Sequence, residues 1–140
     1  MNRLFPIWLV FLCGWSLPAI SSDLEDMQPG LWQTRVQVQF PNGRMPFTFT
    51  SQRCLTQADP VPNTNQGQDC HNYDLTIKDN TVSWKLQCKG EKGILEGQGK
   101  ITFKGKTFSG NMDIAIKERD RSAKFVYHMQ GEYQSPCPVP

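Results

Sequence analysis

From Trp32 onward, apolar and polar residues alternate with a period of two. Trp32, Thr34, Val36, Val38 and Phe40 fall on one side of an extended chain, and Gln33, Arg35, Gln37 and Gln39 on the other. A β-strand places successive side chains on opposite faces, whereas a helix repeats every 3.6 residues, so this spacing predicts strand. The alternation returns in Phe47 and Phe49, in Tyr73, Leu75 and Ile77, and in Val82, Trp84 and Leu86. It continues through Ile94 to Phe103, through Phe108, Met112, Ile114 and Ile116, and through Ala123, Phe125, Tyr127 and Met129. Strands dry on one face and wet on the other belong to an antiparallel sheet with one side shielded.

Between these runs stand turn signals: Pro41-Asn42-Gly43, Lys78 to Thr81, Lys104 to Thr107, and the charged stretch Lys117 to Arg121. Pro60, Pro62, Asn63, Asn65 and Gly67 interrupt the pattern, so Leu55 to Asp69 reads as a surface excursion. Seven to eight strands joined mostly by short turns, with no helix of useful length, predict an all-β antiparallel meander forming a curved sheet or small barrel. Closure depends on pairing between the first and last strands. Gly93, Gly97, Gly99 and Gly110 inside or beside strands are read as marks of strong curvature.

The N-terminus has a different character. Arg3 precedes a nearly continuous apolar run from Leu4 to Leu17, interrupted by Pro6 and Gly14 and followed by Pro18. That is a signal-peptide pattern, and the run is shorter than the roughly 20 apolar residues a spanning helix needs. Ala19 and Ser21 supply small residues at the −3 and −1 positions, so residues 1–21 are expected to be removed, leaving 22–140 as a single β domain in the periplasm with no membrane span. A lipoprotein acylated on Cys13 is disfavoured, because Leu12 stands where a small residue is required.

Export changes what the cysteines mean. Cys54, Cys70, Cys88 and Cys137 are an even set in an oxidising compartment, which reads as two disulfides. A four-thiolate metal site would gather its ligands in close C-x2-4-C pairs, and none is present. Four cysteines allow three pairings. The apolar pattern sets Ile77 against Val82, Leu75 against Trp84 and Tyr73 against Leu86 across a hairpin, leaving Cys70 and Cys88 one residue out of opposition. A single bulge near the open end of the hairpin would bring them into reach. Geometry therefore favours Cys70–Cys88, with Cys54–Cys137 tying an early strand to the C-terminus.

Several function classes lose support on charge and residue type. The chain carries 15 Lys+Arg against 13 Asp+Glu with no basic block, so a nucleic-acid surface is not expected. Removing residues 1–21 takes away only Arg3 from that balance, and such near-neutrality gives no strong steering toward a polyanion.

Pro29-Gly30-Leu31-Trp32, Cys54-Leu55-Thr56, Cys70, Trp84 before Cys88, Gly97-x-Gly99 with Phe108-Ser109-Gly110, and a late Cys together resemble the bacterial domain-of-unknown-function family 3617. The resemblance runs from Pro29 to Cys137. It implies a small exported, envelope-associated β protein of a Gram-negative bacterium, with no established activity to carry over. Members often have a Met- and Pro-rich loop between the first two strands; here Pro41 to Pro46 retains only Met45.

Candidate chemistry is sparse. The two histidines, His71 and His128, read as solvated or structural, and a Ser109-His128-Asp113 arrangement lacks any G-x-S-x-G elbow. Glu96, Asp113 and Asp74, the last opposite Lys85, are better explained as cross-strand ion pairs than as catalytic carboxylates. Met112 and Met129 fit the apolar face, which favours packing over a soft-metal site with Met45. No catalytic residue, cofactor or metal is expected, and the chain reads as non-enzymatic.

What remains is an aromatic set: Trp32, Phe40, Phe47, Phe49, Trp84, Phe103, Phe108, Phe125 and Tyr127. Its plain account is a compact core. Its functional account is a cavity walled by aromatics on a curved sheet, holding an apolar small molecule or lipid-like ligand. Lys100, Lys104, Lys106, Lys117, Arg119 and Arg121 around two later turns would then form a basic rim, or simply a solvated edge. The alternative is a structural envelope protein that docks a protein partner through a sheet edge.

Overall fold

The computed structural model describes residues 23–62 and 69–139. The expected signal peptide, Cys13 and the cleavage point lie outside the described residues.

Seven strands form one antiparallel sheet: β1 (Gly30–Gln39), β2 (Phe47–Leu55), β3 (Asp69–Lys78), β4 (Thr81–Lys89), β5 (Ile94–Lys104), β6 (Thr107–Glu118) and β7 (Arg121–Ser135). The spatial order is β2-β1-β7-β6-β5-β4-β3. The first and last strands do pair, from Leu31 opposite Ser135 to Gln39 opposite Val126. The sheet nevertheless stays open, because β2 and β3 are its two edges and do not pair with each other. Of the two expected forms, a curved sheet or a small barrel, the sheet is therefore not closed into a barrel.

Alternation decides which face is dry. Trp32, Val36 and Val38 of β1, Val82, Trp84 and Leu86 of β4, Ile101 and Phe103 of β5, Phe108, Met112 and Ile114 of β6, and Met129 of β7 are all buried. Fully burying one such side chain contributes about 1.5–3 kcal/mol. Gln37, Lys85, Gln98, Lys100 and Asp113 between them are exposed.

Both disulfides have the expected pairing, Cys54–Cys137 and Cys70–Cys88. The bulge that aligns the second pair is not at the open end of the hairpin. It falls between Tyr73 and Thr76, so Tyr73 opposes Lys85 rather than Leu86, while Ile77 still opposes Val82. Asp74 takes the strain with φ 51°, a left-handed conformation that Asp tolerates better than most residues. The following turn places Asp79 at φ 51° and Asn80 at φ 60°, the two positive values a type I′ hairpin requires.

Three segments depart from the sequence expectation. Strand β7 continues past Met129 to Ser135, because Gly131 leaves room for the Phe108 ring directly opposite it. Pro60 and Val61 are buried, so the segment after β2 is a cover on the core rather than a surface excursion. Arg53 holds it there by donating to the Val61 carbonyl at 2.8 Å and to Asp59. Leu24 and Met27 bury against the same core, and the Asn80 turn fastens their segment through Asn80 N–H to the Asp23 carbonyl and Asp26 N–H to Asn80 Oδ1.

Two of the glycines make room for close neighbours. At Gly99 a side chain would collide with the Trp84 ring opposite it, so this position clears space for an aromatic. At Gly110 the obstruction is the Lys100 and Ile101 backbone, a close approach between strands.

Candidate functional site

The structure divides the aromatic set into two groups at opposite ends of β1. At the Trp32 end the rings are packed solid. Trp32 meets Phe103 edge-on at 5.3 Å between centroids and Phe108 at 5.6 Å, and those two phenylalanines are 5.3 Å apart. Trp32 is fully buried, and its Nε1–H donates to the Gln28 carbonyl at 2.9 Å. Trp32, Phe103 and Phe108 thus fill the space between one another. Trp84 is buried too, but it lies on Gly99 in the register row of Met112, Tyr127 and Val38.

At the Phe40 end the arrangement is looser. Phe40 contacts Phe47 and Phe125, each at 6.0 Å; Phe47 contacts Phe49 at 6.2 Å; Phe49 contacts Tyr127 at 5.9 Å; and Tyr127 contacts Phe125 at 5.6 Å. The contacts close into a circuit of five rings drawn from the end of β1, the start of β2 and the start of β7. Four members are half-buried and Phe47 is 52% exposed. Burial raises the Tyr127 hydroxyl above its ordinary pKa of 10.0, since the phenolate is the form that loses hydration.

The register explains why the rings converge. Val36 opposes Phe49 and Val38 opposes Phe47 on one side of β1, while Val38 opposes Tyr127 on the other. Adjacent strands are about 4.8 Å apart, close enough for rings on one face to touch. Strand β2 has no further neighbour, so nothing in the sheet covers the outer side of Phe47.

The remaining candidates do not assemble. His128 is half-buried, with Nδ1 2.7 Å from Asn111 Oδ1 and Nε2 2.6 Å from Gln39 Oε1. Both ring nitrogens are therefore engaged by amide side chains rather than by Ser109 or Asp113. His71 is exposed beside Tyr73 at 5.6 Å. The acidic residues make surface pairs, Lys85 to Asp74 at 3.4 Å and Lys117 to Glu96 at 3.5 Å. Met112 and Met129 are buried while Met45 is 88% exposed. Among the described residues, no group of three or more His, Cys, Asp or Glu is placed to hold a metal ion. No helix among them is long and apolar enough to cross a membrane.

The basic residues do not form one rim. Lys104 and Lys106 flank the β5–β6 turn, with Lys106 Nζ 5.8 Å from the centroid of the Tyr133 ring, whereas Lys117, Arg119 and Arg121 lie at the other end of β6.

A family model described as a protein of unknown function (DUF3617) matches residues 27–137, and the chain belongs to that family. No curated protein and no solved structure matches it.

Proposed function

We propose that this is an exported, non-enzymatic binding domain whose ligand is an apolar, acyl-like chain held against the five-ring circuit of Phe40, Phe47, Phe49, Phe125 and Tyr127. The observation that carries the reading is the half-exposure of that circuit in a sheet where Trp32, Trp84, Phe103 and Phe108 are buried. Rings left partly wet beside a free strand gain by being covered, at roughly 25 cal/mol per Å² of apolar surface removed from water. The two disulfides fit an oxidising compartment, in keeping with export.

Titration of the mature domain with laurate, followed by displacement of a fluorescent fatty-acid probe, tests the site. Saturable binding that weakens at least about tenfold in Phe47→Ser is expected. Equal binding by the two proteins, or none by either, contradicts it.

A second reading, docking of a protein strand along β2, is favoured by one feature. Residues 47–52 of this edge carry no charge, proline or bulge, the devices that normally keep edges unpaired. A photo-crosslinking residue at Thr50 is then expected to trap a protein in the periplasm, where one at Thr76 on the bulged edge does not.

A further inference from the structure

The polar face of the sheet has its own architecture. The register places Gln39, Val126, Asp113, Gln98, Lys85 and Tyr73 in one row, each opposite the next across six adjacent strands. This row lines a hollow of about 680 Å³. A second hollow of about 720 Å³ shares Lys85, Gln98 and Asp113 with it and extends to the neighbouring row Asn111, Lys100, Ser83 and Thr76. Together they make a trough running across the strands.

The lining restricts what the trough takes. Lys85, Lys100 and Lys124 face Asp74, Glu96 and Asp113, and two of these carboxylates already have ammonium partners. Balanced charge offers a polyanion or polycation no net attraction. An acyl chain laid over these groups would strip water from charges without replacing its hydrogen bonds. The Gln98 amide, the hydroxyls of Ser83 and Thr76, and the amide nitrogens of Gln39 and Asn111, whose oxygens His128 engages, supply donors and acceptors mixed along the trough. Sugar hydroxyls both donate and accept, and the 39% exposed Tyr73 ring offers a flat surface for a sugar's C–H face. Contact points recur at the strand spacing of about 4.8 Å, a scale that suits successive sugar units.

We propose that this trough binds an uncharged oligosaccharide lying across the strands. The row of polar side chains lies on the opposite face of the sheet from the aromatic circuit, and the hollow meets that circuit only at one end, where Phe40 and Phe125 border it, so the test turns on side chains outside the circuit. Calorimetric titration of the mature domain with three neutral tetrasaccharides, cellotetraose, maltotetraose and the β-1,4-linked N-acetylglucosamine tetramer, tests the proposal. At least one is expected to bind at millimolar concentration. Gln98→Ala with Asp113→Ala, and separately Tyr73→Ala, are expected to weaken it about tenfold with an unchanged circular-dichroism spectrum. Phe47→Ser leaves it unaltered. Absence of binding by all three sugars overturns the assignment. So does binding that these variants leave unchanged, or tighter binding of a neutral blocked tetra-alanine peptide than of any sugar.

Discussion

Phe103 and Phe47 show how much a side chain's surroundings decide its role. Phe103 is 1% exposed and touches two other rings, whereas Phe47 is 52% exposed on an edge strand. Phe103→Ala is expected to cost about 3–5 kcal/mol in urea unfolding, because it leaves a cavity among rings that cannot collapse. Phe47→Ala is expected to cost well under half of that and to affect binding instead. Tyr127 supplies a pH test with a definite sign. Its hydroxyl is raised above 10.0 in the fold by desolvation, so the folded state favours the neutral phenol. Its contribution is constant below the unfolded value near pH 10 and is lost as pH rises through the raised folded value. Unfolding measured across the alkaline range should therefore show a shallower loss of stability in Tyr127→Phe than in the unsubstituted protein.

Among the elements, the edge hairpin β3–β4 is the most exacting. Asp74 holds the bulge at φ 51°, where a β-branched residue clashes and glycine does not. Asp74→Val is expected to destabilise by about 1–2 kcal/mol, and Asp74→Gly to be near neutral, since the exposed pair with Lys85 is worth little. Equal losses in urea denaturation would show that the bulge is not fixed by backbone preference. The disulfides differ by loop length. Cys54–Cys137 spans 83 positions and Cys70–Cys88 spans 18, so on a chain-entropy account the first contributes about 4.5 kcal/mol and the second about 3. Replacing each pair by serine should lower the urea midpoint more for the longer loop.

The element scale is also where sequence reading succeeded and failed for physical reasons. Alternation gave the strands and the dry face, because period two is a local property of each run. The cysteine pairing followed from that alternation plus one bulge. The bulge itself was misplaced, since a positive φ at Asp74 leaves no apolar signature. The apolar markers of the last strand stop at Met129 because the next inward position, Gly131, holds no side chain of its own; the ring filling it belongs to Phe108 on the neighbouring strand. Pro60 and Val61 read as surface for a similar reason: a short cover on a core has no period to detect.

At the scale of the molecule, one sheet presents two unlike surfaces. Its apolar face is packed solid at the Trp32 end and left half-open at the Phe40 end, while its polar face is hollowed across the strands. The aromatic residues were legible as a set, yet their division into filled and open groups depends on β2 being an edge and on which segments cover the core. The polar trough was not legible at all, because it arises from the register of six strands and not from any motif. Amide NMR shift mapping of the mature domain with laurate tests the central claim most directly. The predicted result is a continuous group of shifts at Val38 to Phe40, Phe47 to Phe49 and Phe125 to Tyr127. Shifts centred on Trp32, Phe103 and Phe108, or none at saturating laurate, would contradict it.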